Sequence, residues 1–206
     1  MDSLKGGQLH ANTMCTIREP KHVEHKTYRK LIKGCRSFDD FSSNVEDLTK
    51  LDKKGKTVAD TVAQGDAMEV FSEALVNTCE MYLHEDVEPV TRSKDRGVDA
   101  KASRPHDCLP TSIQVKFSAD RKHLHSWTKL STFYGKSAGT RRVLITAGAG
   151  MGKNATEGFT GTTAAGEAEP PLTIINRALL DALKPEDWER IQAFVYSTPL
   201  KQRSPM

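Results

Sequence analysis

Gly97-Val98-Asp99 and Ile113-Gln114-Val115-Lys116-Phe117 are the two stretches whose reading decides the fold. Successive side chains of a strand point to opposite faces, so Gln114 and Lys116 go one way while Ile113, Val115 and Phe117 go the other, into a core. Two such strands in a hairpin set Asp99, Gln114 and Lys116 along one polar edge. A carboxylate, an amide carbonyl and an ammonium so arranged can hold a divalent cation with a lysine beside it.

Working outward from this pair, residues 21 to 34 read as a basic helix stopped at Gly34, and 39 to 52 as a second, with Phe41, Val45, Leu48 and Leu51 at helical spacing. A third helix is expected over 57 to 83, where Val70, Phe71, Ala74, Leu75, Thr78 and Tyr82 form an apolar stripe and Gly65 is the weak point. Strands are expected near 86 to 92, 97 to 102 and 112 to 118. A helix near 123 to 134 leads to the strand Arg142-Val143-Leu144-Ile145-Thr146. The Gly, Ala and Thr-rich segment 147 to 169 reads as a long mobile loop, and Leu172 to Ile175 as a last strand. Residues 176 to 183 and a helix opened by Pro185 close the chain. This order predicts an α/β fold with a mixed central sheet flanked by helices.

The composition narrows the function classes. With 206 residues, 37% hydrophobic and 28% charged, the chain is an ordinary globular protein long enough to bury a core. No apolar run reaches the length of a bilayer span and the N-terminus lacks the apolar stretch of a signal peptide, so no membrane partner and an intracellular, non-secreted protein are expected. Cys15, Cys35, Cys79 and Cys108 show no CxxC spacing, which predicts reduced structural thiols. Lys116 to Arg142 holds seven Lys or Arg against the single acid Asp120, whereas Ser43 to Ala100 holds thirteen acids against seven bases. The basic stretch, interleaved with Phe117, Trp127, Phe133 and Tyr134, is either a solvated face or a track for a phosphate backbone.

Gly65-Asp66-Ala67-Met68-Glu69 with Val70-Phe71, then Gly97-Val98-Asp99, then Gln114-Val115-Lys116, resembles the PD-(D/E)XK nuclease superfamily, nearest its restriction-endonuclease-like Mrr branch. There a helix carrying G, three residues, an acid and F precedes G-[VI]-D and Q-x-K. The match covers Gly65 to Thr146, about 40% of the chain. Similar domains form the N-terminal nuclease module of some large helicases of phages, viruses and restriction systems.

The resemblance implies a catalytic set of Glu69, Asp99, Gln114 and Lys116. Asp99 would be the central metal ligand, Glu69 a second carboxylate and Gln114 a carbonyl ligand where many relatives have Glu or Asp. Lys116 would orient the attacking water and offset charge on the phosphate. Mg2+, or Mn2+, is the implied cofactor and DNA the implied substrate. Glu73, one turn beyond Glu69, could share its role, while Asp66 and Asp95 read as surface acids. Arg121, Lys122, His123, Lys129, Lys136 and Arg141 are the expected nucleic-acid contacts.

Two rival constellations are present. Ala147-Gly148-Ala149-Gly150-Met151-Gly152-Lys153-Asn154 follows a strand and resembles a P-loop, but Asn154 replaces the Mg2+-binding Ser or Thr and the residues after it are poor helix material. His106-x-Cys108 with His123-x-His125 offers four zinc donors, but neither pair has the usual spacing, and alternate residues opening a helix diverge. The expected organisation is a poorly ordered segment 1 to 20, a helical extension 21 to 56, a restriction-endonuclease-like domain 57 to 196 and a tail 197 to 206. The expected activity is metal-dependent cleavage of DNA, alone or linked to a helicase, restriction or phage system, and the resemblance implies a homodimer as one arrangement. The alternative is a non-cleaving nucleic-acid-binding or assembly module of the same fold.

Overall fold

The structure, a computed structural model, describes residues 25–90, 97–104, 109–159 and 172–196. Helices α1 (His25–Ile32) and α2 (Phe38–Glu46) lead into a small hairpin, β1 (Thr49–Leu51) and β2 (Thr57–Ala59). The long helix α3 (Thr61–Thr78), a 3-10 turn at Glu80–Tyr82 and strands β3 (Glu85–Pro89), β4 (Ala100–Ser103) and β5 (Thr111–Lys116) follow. Then come β6 (Leu124–His125), α4 (Trp127–Lys136), β7 (Arg141–Thr146), β8 (Gly150–Met151) and α5 (Lys153–Phe159). Strand β9 (Leu172–Ile175) and helices α6 (Arg177–Asp181) and α7 (Pro185–Tyr196) complete the described chain.

Five strands form one sheet in the order β3-β4-β5-β7-β9. The hairpin-linked half, β3 to β5, is antiparallel, and β5, β7 and β9 are parallel. Parallel neighbours need a crossover, supplied by α4 between β5 and β7. The fold is therefore the expected α/β class, a mixed sheet flanked by helices. Strand β5 is buried along Thr111 to Val115, on both faces, because it lies at the centre of the sheet.

Each face carries its own core. On one, Ile113, Val115, Val143 and Ile145 meet Ala67, Phe71 and Leu75 of α3, with Phe38 and Phe41 of α2 and Trp188 of α7 behind them. On the other, Leu144 meets Leu130 and Phe133 of α4 and Ala155 and Phe159 of α5. Phe71 is the hub of the first core, stacked on Phe41 with ring centroids 4.7 Å apart and in contact with Phe38 at 5.4 Å and Trp188 at 5.6 Å. The expected helical extension thus shares the core of α3. Ser37 caps α2 through a capping box with Asp40, which is why that helix starts where it does.

Several local expectations are corrected. The second helix stops at Glu46 and the third begins at Thr61, because residues 49 to 59 form the β1-β2 hairpin. Its turn is made by Asp52, whose carboxylate accepts the N–H groups of Lys54 and Lys56, both at 2.8 Å, and by Gly55 at φ +74°. The segment expected as a loop from 147 contains β8 and α5; residues 160 to 171 lie outside the described residues. Gly158 permits α5 to seat on Trp127, whose ring would lie 2.4 Å from an added Cβ, so packing overrides a poor helix propensity. Asp66 is buried rather than on the surface, with the Tyr28 hydroxyl at 3.5 Å from its carboxylate.

The segments 1 to 20 and 197 to 206, Cys15, Asp95, His106 and Cys108 lie outside the described residues. Cys35 and Cys79 are free, buried thiols whose pKa burial pushes up to about 11 and about 12, as structural thiols require. Among the described residues no helix is long and apolar enough to cross a membrane. Replacing the hub, Phe71→Ala, is expected to destabilise the protein by about 3–5 kcal/mol, read as a fall in the denaturant midpoint.

Candidate active-site cleft

The site begins with a departure from regular pairing at the start of β4. Ala100 faces Ile113 in the ladder, yet it is the N–H of Asp99 that donates to the Ile113 carbonyl at 2.9 Å. With that register broken, the N–H of Val115 finds its acceptor in the Asp99 carboxylate, Oδ2, at 2.6 Å. The Gln114 amide Nε2 donates to the same oxygen. On the other side the Asp99 carbonyl accepts from Val90 N at 2.8 Å, so one residue ties the ends of β3, β4 and β5 together. Gly97 makes the approach possible: its φ is +87°, and a Cβ there would lie 2.9 Å from the backbone N of Phe133 in α4.

Asp99 and Gln114 are only 7% and 1% exposed, so their polar groups have to satisfy one another rather than water. Of the three side chains expected along one edge, Asp99, Gln114 and Lys116, the first two are hydrogen-bonded to each other directly. A small cleft opens beside Asp99, lined by Glu69 and Glu73 of α3 together with Val87, Ile113 and Val115. The spacing of four residues puts both glutamates on one helix face. Glu73 is buried and Glu69 half-buried. The cleft's donors are all oxygens, the set that a hard cation such as Mg2+ takes. Among the described residues no three His, Cys, Asp or Glu side chains stand close enough together to hold an ion as they are placed.

Neither Gln114 nor Lys116 lines that cleft; both lie on the face of β5 opposite Ile113 and Val115. Lys116 lies further along that face. It is paired with Thr146 across β5 and β7, and its positive charge is felt by His125, so it belongs to a second cluster at the C-terminal ends of the parallel strands. There the His125 ring nitrogen Nε2 lies 2.8 Å from Thr146 Oγ1, which also accepts the Gly148 N–H at 3.0 Å. The rings of His123 and His125 meet edge to face, 4.7 Å between centroids. They sit at β6 rather than at a helix start, so alternate residues share a side instead of diverging. Burial first, then His123 and Lys116, push the His125 pKa down to about 4. Thr146 and His125 were not legible as partners, since only the β6-β8 pairing brings their segments together.

The P-loop resemblance at 147 to 154 resolves into structure of another kind. The N–H groups of Ala149 and Gly152 donate to the carbonyls of His123 and His125, at 2.9 and 3.0 Å. Those amides are spent on pairing with the β6 segment. The expected nucleic-acid contacts fall at two ends of the sheet. Arg121, Lys122, His123 and Lys129 lie near the C-terminal ends of β5 and β7, while Lys136 and Arg141 lie at the start of β7, about 17 Å away by strand rise. Arg121 is paired with Asp39 at 2.6 Å. Arg142, counted within the basic stretch, is buried; its Nε donates to Ser137 Oγ at 2.8 Å and its guanidinium stacks 4.6 Å from the Tyr134 ring centroid.

Two outcomes test this geometry. Gly97→Ala combines a left-handed backbone with a clash against helix backbone, and a loss of about 2–4 kcal/mol in denaturant stability is expected. His125 is neutral when folded and titrates near 6.5 when unfolded, so its contribution is complete above pH 6.5 and is lost as the pH falls towards 4. The wild type is expected to lose up to about 3 kcal/mol more than His125→Gln over that window, measured by urea unfolding at successive pH values. In comparisons with family models, with curated proteins and with solved structures, nothing matches this chain.

Proposed function

We propose that the chain is a metal-dependent nuclease with a restriction-endonuclease-like, PD-(D/E)XK-type fold, hydrolysing phosphodiester bonds of DNA. The observation that carries this reading is the cleft in which Glu69 and Glu73 face Asp99, while Gln114 is bonded to that same Asp99. A helix bearing acids, three antiparallel strands, a crossover helix and a parallel strand, in the order α3, β3, β4, β5, α4, β7, is the arrangement that the resemblance of the motifs calls for.

The oxygen donors that line the cleft fit Mg2+ or Mn2+ in kind, and Asp99, Glu69 and Glu73 would hold the ion; Gln114 is not among the lining residues. When bound, the ion supplies charge stabilisation to the phosphate under attack. Asp99 is held in place by the Val115 N–H and has no rotamer search to make before it acts. Glu69, half-buried at the mouth, is positioned to orient a water, and buried Glu73 stands one turn behind it. Lys116 and Lys122, with Arg121 paired to Asp39 and His123 beside them, gather positive charge at the C-terminal end of β5, where a phosphate backbone would pass. A second reading, a non-cleaving nucleic-acid-binding module, is favoured by one observation: Gln114 presents its N–H, not its carbonyl, to Asp99.

The test is nicking of supercoiled plasmid and cleavage of single-stranded DNA, in Mg2+ or Mn2+ and in EDTA. Cleavage that needs the cation and falls about 100-fold or more in Asp99→Asn and in Lys116→Ala is expected. Glu69→Gln combined with Glu73→Gln is expected to lose as much. Absence of cleavage on both substrates, with DNA still retarded in a gel, would establish the binding module instead.

A further inference from the structure

We propose that the cluster of His125, His123 and Lys116 at the C-terminal ends of β5 and β7 binds a terminal phosphate group, that of orthophosphate or of a phosphomonoester. This goes beyond the cleavage reading and does not rest on it, since none of the three lines the cleft beside Asp99. Thr146 is fully buried, and its hydroxyl oxygen accepts the Gly148 N–H at 3.0 Å. The hydroxyl hydrogen still needs an acceptor where water does not reach, and His125 Nε2 at 2.8 Å is the one it has. With Nε2 accepting, the neutral imidazole carries its proton on Nδ1. His125 is 4% exposed, yet this N–H has no hydrogen-bond partner among the described residues. A buried donor fixed in its tautomer and left unused calls for an acceptor from outside the chain.

The groups around it select an anion. The His123 ring meets that of His125 at 4.7 Å between centroids, and the charge of Lys116 reaches His125 from the end of β5. Asp120, the one acid between Phe117 and His125, turns its carboxylate onto the backbone N–H of Lys122 at 2.9 Å. Burial and the neighbouring charges push the His125 pKa down to about 4, so at neutral pH it donates without carrying charge. Gly148 keeps the pair tight, because a Cβ there would lie 2.7 Å from the His123 carbonyl. A phosphodiester inside a strand has a sugar on either side and a single charge. A terminal phosphate carries nearly two charges and presents three acceptor oxygens, which suits three donors of which one is buried. Loss of one hydrogen bond to such a charged group lowers affinity by about 10- to 100-fold.

The full chain, with 15N in its histidine rings, is titrated with sodium phosphate in EDTA, and with sodium chloride at matched ionic strength, while the His125 ring signals are followed. Equilibrium dialysis compares radiolabelled phosphate on wild type and on His125→Phe, and a tetranucleotide ending in a 5'-phosphate with the same one ending in a 5'-hydroxyl. A saturable shift of the His125 ring with phosphate and not with chloride is expected, with binding about 10- to 100-fold weaker in His125→Phe. Preference for the phosphorylated tetranucleotide assigns the site to a strand end and preference for orthophosphate to a free phosphomonoester; either upholds it. Equal binding of the two tetranucleotides, each tighter than orthophosphate, would show a backbone track and overturn it. So would phosphate that leaves the His125 ring signals unmoved, or that binds wild type and folded His125→Phe alike. Should the variant fail to fold, the wild-type ring signals decide. With EDTA present throughout, each of these results leaves the nuclease reading where the cleavage assay puts it.

Discussion

The carboxylate of Asp99 accepting the backbone N–H of Val115 is the contact on which the middle of this protein depends. A regular antiparallel ladder would give that N–H a backbone carbonyl across the strand. Once Asp99 takes the Ile113 carbonyl with its own N–H, the register is lost and β5 continues past the end of β4 with a donor unsatisfied. A short acidic side chain at this point satisfies it and lets β5 run on to Lys116 beside β7. Strand β5 is antiparallel to one neighbour and parallel to the other, so an error at its centre would propagate to both halves of the sheet. Gly97 is the backbone condition for this contact, because only a residue without Cβ turns there against α4.

The other buried charges are handled by the same rule, that a charge removed from water needs partners on every side. Arg177 is 4% exposed and is met by Asp39, by Asp181 at 2.8 Å and by the Phe38 ring at 4.8 Å. Asp39 also binds Arg121, so the N-terminal helices, the loop after β5 and α6 are joined through one carboxylate. Arg142 is met by the Ser137 hydroxyl, the Tyr134 carbonyl and an aromatic face. These arginines brace the two layers, and part of the positive charge that composition assigns to the surface is structural.

The strands written as short apolar runs were legible in the sequence: Arg142 to Thr146 and Leu172 to Ile175 are found within a residue of where the pattern puts them. The hairpin β1-β2 was not, because Thr49 to Leu51 are exposed throughout and carry no alternation, leaving Asp52 and Gly55 as its signal. Helix α5 was hidden by its glycine, whose reason is the ring of Trp127 packed against it from α4. At the site, strand parity was enough to pair Asp99 with Gln114, and helical spacing enough to pair Glu69 with Glu73. Parity could not place Lys116, whose neighbours His125 and Thr146 arrive from β6 and β7 through tertiary packing.

Stability accounts for Gln114 through Asp99, whose buried carboxylate its amide serves as a donor. Its flanking residues, Ile113 and Val115, show what the centre of β5 can bury at no polar cost. An apolar residue at 114 would take a donor from the buried Asp99 carboxylate and leave that charge in place, which costs more than replacing both partners together. Asp99 is needed in turn, since without it the Val115 N–H would lose its acceptor. The acid and the amide beside it are thus both explained by the fold. A buried acid held by one backbone N–H and one amide N–H joins β4 to β5 first of all, and the two glutamates of α3 line the cleft beside that join.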